Sequence, residues 1–496
     1  MAIAKVCGIE TEYGISTTGG DGNPIAASSV LVNAYATLEH RKTRWDFEDE
    51  APGNDARGLA PEGTMAPLVE TNLANTVLTN GARYYVDHAH PEYSTPECSN
   101  PLEAVLHDKA GEEVLRRSMA EAAAALSNGP RIVVYKNNSD GKGNTYGCHE
   151  NYLMDRNLSF ADIVVGIVPH FVTRQIFTGA GKVGVETSAL DPERVHFQVS
   201  QRAEFFEEVV GLETTLKRPI VNTRDEPHAD PKRFRRLHVI VGDANLSELS
   251  TLLKIGTTAV VLAMIEDRVS PARSLAFADP VRAIHQVSSD IELNTPLEMA
   301  DGTRATALEV QWELFATASK YALEEGLDSI GDPNVASLVM DRWEFILLAL
   351  ESDPASLANN LDWIAKLELM KAYRERHGCS WSDSRLRALD LQYHDLRPER
   401  SLYARIGMQT LVDQDAINQA VHEPPCGTRA WFRGTCLARW PDAIATANWD
   451  SLVFDLGHDP LSRVPMMDPL KGTAELASGL LDGSANPAEM LKRLSS

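Results

Sequence analysis

Cysteine is scarce in this chain, and the six residues Cys7, Cys98, Cys148, Cys379, Cys426 and Cys436 are scattered with no Cys-x-x-Cys pair. Neither a thiolate zinc centre nor a disulfide framework is indicated, and the thiols are expected to be reduced and mostly buried. Positive charge is in deficit too. A formal net charge of −23 argues against nonspecific nucleic-acid binding, which needs cations facing phosphates, so any anionic ligand must meet a locally basic surface. No apolar run reads as long enough to span a membrane, and the N-terminus lacks a charged and apolar leader; the expectation is a soluble, cytoplasmic protein. Internal repeats are absent. So is a Walker-type loop: Gly179-Ala180-Gly181-Lys182-Val183-Gly184 lacks the Ser/Thr that would hold a metal, and a bound nucleotide would have to rest on a sheet face.

What is present starts with two glutamates in Gly8-Ile9-Glu10-Thr11-Glu12-Tyr13-Gly14. Strand alternation puts Glu10 and Glu12 on one face, where like charges persist only with a cation between them or a proton on one. Carboxylate oxygens are hard ligands, and Mg²⁺ carrying nucleotide phosphates suits them. A solvated strand face would carry the same Glu-x-Glu, so the rest of the chain has to decide. Its 496 residues suit one large domain with an appendage. Residues 41–76 are acidic and aperiodic, and read as a mobile insertion.

Order resumes at Arg83-Tyr84-Tyr85-Val86-Asp87, a strand pattern with Arg83, Tyr85 and Asp87 on one face. Asp87, flanked by His88 and His90, could act as general base or nucleophile; spacing alone equally allows a strand-end aspartate capping a turn. Pro91 and Pro96 then predict a turn-rich segment displaying Glu92 and Thr95. Asn100, Pro101 and Glu103 announce a long helix by cap, first position and capping box. Arg131 to Lys136 and Tyr146 to Leu153 read as a hairpin joined through Asp140-Gly141-Lys142-Gly143-Asn144. Its second strand carries His149 and Asn151 on one face. Another strand, Leu237 to Val241, carries His238, with Asp243-Ala244-Asn245 as a helix entry. Beyond Pro296 the pattern is mainly helical, and Pro424-Pro425-Cys426-Gly427 suggests a boundary between residues 1–425 and a small C-terminal domain, 426–496.

Glu10, Glu12, Glu92, His149 and His238 are candidate metal ligands because each lies on or beside an expected strand. Arg83, Arg202 and Arg224 are candidate clamps for phosphate or carboxylate, whose geometry a guanidinium fork matches. Singly, each could be an ordinary structural residue. Only their convergence would make a site.

Gly8 to Gly14, Asn80 to Glu97, Lys136-Asn137-Asn138 with Gly147-Cys148-His149-Glu150-Asn151-Tyr152, and His238 to Asn245 together resemble the enzymes of bacterial pupylation. These are the Pup ligase and the Pup deamidase (depupylase), relatives of glutamine synthetase and the carboxylate-amine ligases. The insertion at 41–76, the start Ala2-Ile3-Ala4-Lys5-Val6-Cys7 and the tract Tyr84 to His90 are more similar to the deamidase. The resemblance implies an α+β fold: a curved, largely antiparallel sheet backed by helices, with ATP and Mg²⁺ on its concave face. It implies hydrolysis of the side-chain amide of Pup's C-terminal glutamine, cleavage of the isopeptide bond between Pup and lysine, and nucleotide used as a cofactor. Pup and pupylated proteins are the implied partners. Asp87 takes the position of the family's catalytic aspartate. Glu10, Tyr85 and Glu92 fall on magnesium positions, although a tyrosine suits an indirect role better, and Arg83, Thr95 and Trp449 fall on ATP-contact positions. ATP-dependent ligation is the alternative on the same scaffold, and an inactive Pup-binding scaffold a more distant one. Part of the basic stretch Lys217 to Arg236 is a candidate lining for a groove that takes acidic Pup, and a solvated basic face would carry the same residues.

Overall fold

The computed structural model describes residues 1–19, 22–39, 43–48, 50–58, 74–126, 131–271 and 274–495. At its centre is a six-stranded sheet in the spatial order Phe234–Val239, Cys148–Asp155, Cys7–Glu12, His90–Ser94, Arg83–Asp87, Asn75–Val77. Every neighbouring pair is antiparallel. One face alternates into apolar residues such as Ile9, Tyr152 and Leu237, which join a continuous buried core with the helices Phe160–Thr173, Glu248–Glu266, Ala307–Glu324 and Pro333–Ser352. The other face carries the polar alternates. Helices on an antiparallel sheet make this an α+β fold.

The Glu248–Glu266 helix corrects one sequence expectation, since it is long and apolar enough to cross a membrane. Its apolar residues instead lie inside the protein, where that window is entirely buried. It starts at the Ser247 cap, later than the expected entry at Asp243 to Asn245, because the Asp243 carboxylate is committed to the Ala180 and Gln201 N–H groups. The Pro101–Ala125 helix keeps its Asn100 cap, but the Glu103 carboxylate accepts from the N–H of Ser99, one residue earlier than a standard capping box.

The expected hairpin is also corrected. Arg131–Tyr135 pairs with Gly14–Thr18, whereas Cys148–Asp155 joins the central sheet. The turn is real, with a bridge between Ser139 and Thr145, but Asn138 is anchored by Gln201 and Tyr146 and the flanking strands part company there.

A second, four-stranded sheet runs Ser462–Pro465, Ser451–Phe454, Ile444–Ala447, Arg44–Trp45. The last strand comes from the acidic segment and lies parallel to Ile444–Ala447. Trp45 is buried among Phe432, Leu437, Leu452 and Met490, with its ring edge-on to Trp449 at 5.2 Å. Residues 51–56 are pinned as well: Ala56 N–H donates to Thr223 O at 2.8 Å and Asp225 N–H to Asn54 O at 2.8 Å. The described part of the insertion is therefore built in, and residues 59–73 lie outside the described residues. Trp45→Ala should cost about 3–5 kcal/mol of stability, read from urea melts, because a buried indole leaves a cavity that neighbours fill only in part.

Candidate active site

Register brings the polar alternates of five strands to one place. Glu10 stands opposite Ser94 on one side and His149 on the other, Glu12 opposite Glu92, Tyr85 opposite Glu92, and His238 opposite Asn151. Asp87 closes the hairpin opposite His90. A cavity of about 1060 Å³ opens over this face, lined among others by Glu10, Arg83, Tyr85, Asp87, Glu92, His149, Arg224 and Trp449. Next to it lies a more apolar cavity of about 570 Å³ lined by Gly8, Ile9, Thr95, Leu153, Pro227 and Pro469, and Glu10, Ser94, His228, Arg236 and Trp449 line both. Gly8 allows the close approach of Thr95 in the wall of that second cavity, since a Cβ there would sit 3.3 Å from Thr95 Oγ1.

Two groups of ligand atoms converge on the face. Glu10, His149 and His238 form one, and Glu12, Asp87 and Glu92 the other, with the ligating atoms of each group within 4.8 Å of one another. In the first group Glu10 accepts from Asn151 Nδ2 at 2.8 Å and lies 3.6 Å from Arg236 Nη1. Burial pushes its carboxyl up, but His149, whose Nδ1 lies 3.6 Å away, together with His238 and Arg236, outweighs it and holds Glu10 well below the usual carboxylate range. His238 is driven strongly towards its neutral form by burial and then by Arg236. Its Nδ1 lies 3.0 Å from Asn151 Oδ1, while its buried Nε2 has no hydrogen-bond partner. A neutral imidazole with an orphaned nitrogen beside an ionised carboxylate is what a divalent cation requires.

In the second group burial raises Glu12 too, yet His90 Nδ1 at 3.1 Å and the Gly147 N–H at 2.8 Å bring it down to about 2. Gly147 is needed here, since a Cβ would meet His149 Nε2 at 2.3 Å and Glu12 Oε1 at 2.8 Å. Glu92 goes the other way: burial, then the charges of Asp87, Glu12 and Glu10, push it well above the carboxylate range. Three carboxylates this close cannot all ionise unaided, and their hard oxygens fit Mg²⁺. The Glu10 group has two imidazoles and fits a divalent cation with less demand for oxygen.

Tyr85 belongs to neither group of ligand atoms but touches the second through Glu92. Its hydroxyl donates to Glu92 Oε1 at 2.5 Å, and its ring lies 3.8 Å from the Arg83 guanidinium, which is also 4.1 Å from the Trp45 ring. Arg224 lines the cavity with a buried Nε that has no partner. Thr95 Oγ1 accepts the Ile9 N–H at 3.0 Å, which ties the wall of the apolar cavity to the central strand. Arg202 is withdrawn from both cavities: it is fully buried and donates to the carbonyls of Ile240 and Gly242. It braces that turn.

Three arginines of the basic stretch 217–236 go to different places. Arg235 is buried beside Asp225, Arg236 points into the site with its Nη1 2.8 Å from Asn151 Oδ1, and Arg233 pairs with Asp468 at 2.8 Å. Sequence reasoning passed over Arg236, Ser94 and His90 as site residues. The period of two would have found them, since they lie two residues from His238, Glu92 and Glu92 on the same faces.

Trp449 reaches both cavities, and its backbone is tied through Arg433 to Glu97. Glu97 accepts from Arg429 Nε at 2.7 Å and from Arg433, whose Nη1 also holds the Trp449 carbonyl at 2.9 Å. Burial raises the Glu97 carboxyl, but the two arginines bring it from 4.5 down to about 2. A folded-state value below the unfolded one stabilises the protein above the unfolded pKa and loses that stabilisation as pH falls through the folded value. Wild type should therefore exceed Glu97→Gln by about 3 kcal/mol at pH 7. Melting curves should show that margin narrowing as pH falls from 4.5 towards about 2.

Residues 5–453 match the Pup-ligase protein family. The chain belongs to that family. It is 51% identical over 504 residues to the depupylase of Acidothermus cellulolyticus, with 99% of each chain covered. It is 46% identical over 507 residues to the Pup deamidase/depupylase of Mycobacterium tuberculosis, again with 99% of each covered. Identity falls to 37% over 488 residues with the Pup–protein ligase of Pseudarthrobacter chlorophenolicus, covering 96% of this chain and 99% of the ligase. Among solved structures, the complex between prokaryotic ubiquitin-like protein Pup and its ligase PafA superposes with a TM-score of 0.79 at 30% identity, over 99% of this chain and 94% of that one. The α+β fold is thus that of the family.

Proposed function

We propose that the chain is a hydrolase that converts the C-terminal glutamine of Pup to glutamate and cleaves the isopeptide bond between Pup and a substrate lysine, with ATP and Mg²⁺ bound on the sheet face. The observation that carries this reading is Asp87, a carboxylate at the open end of the Glu12, Asp87, Glu92 group, facing the larger cavity. The higher identity to depupylases than to ligases favours hydrolysis over conjugation.

Glu12 and Glu92 would hold one cation and Glu10, His149 and His238 another, with Tyr85 orienting Glu92. The apolar cavity beside Gly8 and Thr95 suits a nucleotide base, with Trp449 between the two spaces and Arg83 and Arg224 facing the phosphates. When bound, the metal would supply positive charge for the oxyanion that develops on the γ-carbonyl, and the nucleotide would help to organise the site. Asp87 either attacks the γ-carbon itself or takes a proton from the attacking water. In both cases the carbon–nitrogen bond breaks, a water oxygen ends on the new carboxylate, and ammonia or the lysine amine leaves with the proton. Arg224, whose buried Nε has no partner, would help with the oxyanion, and Arg202 would act only through the backbone it holds. Pup and pupylated proteins are the proposed partners, and the cytoplasm the proposed location.

Incubation with ATP, Mg²⁺ and Pup of either ending tests the reading. Ammonia released from Gln-ended Pup, with free Pup regenerated from a conjugate, is the expected outcome. Conjugates accumulating from Glu-ended Pup and a lysine-bearing protein would instead assign ligase activity.

A further inference from the structure

The turn that presents Asp87 has only two residues, His88 and Ala89, between the paired Asp87 and His90. Such turns need a positive φ at their first residue, which glycine takes freely and any other residue only at some cost. His88 nevertheless adopts φ 50°, and the turn is held there by the Ser28 hydroxyl, which donates to Ala89 O at 2.8 Å.

On a continuing strand, neighbouring side chains point to opposite faces. The left-handed backbone at His88 instead folds the imidazole back beside the preceding residue, with Nδ1 2.9 Å from Asp87 Oδ2. An ionised carboxylate only accepts, so Nδ1 carries the proton in this contact. Both side chains line the larger cavity, His88 at its rim with 58% of its side chain exposed. Exposure removes packing as the reason for an unfavourable residue in a turn. Residues held in the left-handed region cluster at active sites, where the strain can serve the mechanism.

We propose that His88 is a positioning residue for Asp87: it holds Oδ2 by a hydrogen bond and thereby turns Oδ1 towards the substrate carbonyl. This rests on the proposed role of Asp87 in amide hydrolysis. The contact needs both a donor and the left-handed backbone.

His88→Gly keeps the backbone and removes the donor, while His88→Asn keeps the backbone and offers an amide N–H. With Gln-ended Pup, ATP and Mg²⁺, His88→Gly should lower kcat by about tenfold or more with KM unchanged, the usual scale for losing an orienting partner. His88→Asn should recover most of that loss, and both variants should melt no lower than wild type. Wild-type kcat in His88→Gly would overturn the proposal, as would equal impairment of the two variants. If His88→Gly melts early, His88→Ala, which also lacks a donor, against His88→Asn asks the same question, and equal rates in that pair would overturn it. Asp87→Asn, run in parallel, separates the two levels: full activity there removes the underlying role of Asp87, whereas an inactive Asp87→Asn beside a fully active His88→Gly removes only the role of His88.

Discussion

Asp87→Asn abolishes deamidation and depupylation together, a fall in kcat of about 10³-fold, the scale of losing a group that takes part in proton transfer or attack. Both reactions share one γ-carbonyl, so one carboxylate serves both. The substitution is nearly isosteric, and its side-chain oxygen can still accept from His88 Nδ1. It also removes one of the negative charges that push Glu92 upward, so the fold should lose nothing. Nucleotide affinity by calorimetry and the melting temperature should match or exceed wild type. Normal turnover of either substrate would take Asp87 out of the chemistry.

Glu150→Ala should cost about 3–5 kcal/mol of stability, the penalty for stranding a buried charge. Glu150 and Arg174 are both fully buried, and the fork is bidentate at 2.7 and 2.6 Å. Tyr152 donates to the same carboxylate at 2.7 Å. Glu150 shares a strand with His149 and Asn151 but points to the other face, so the pair fastens the site-bearing strand to the core. The double change Glu150→Leu with Arg174→Met should recover much of the loss, because replacing both partners leaves no unpaired charge. Urea melts of the two variants decide this. A single variant within about 1 kcal/mol of wild type would show that water reaches Arg174.

The face of the sheet was legible because strand alternation is local. Glu10 with Glu12, and Arg83 with Tyr85 and Asp87, follow from counting by two. Which strands lie side by side is not local, and the supposed 131–153 hairpin failed because each of its strands found a better partner elsewhere. The clamp of Glu97 by Arg433 joins residues 336 apart in the chain, and no spacing announces it. Charge clusters mislead for a similar reason: Arg233, Arg235 and Arg236 are nearly adjacent in sequence, yet they serve the surface, a buried pair and the site. Trp45 looked like part of a loose acidic segment because its strand partner lies some 400 residues further on.

The most direct test is anomalous scattering from crystals grown with Mn²⁺ and a non-hydrolysable ATP analogue. Peaks should appear between Glu10, His149 and His238 and beside Glu12 and Glu92, with the base of the nucleotide next to Gly8 and Thr95. Metal bound elsewhere, or nucleotide density away from this sheet face, would contradict the account.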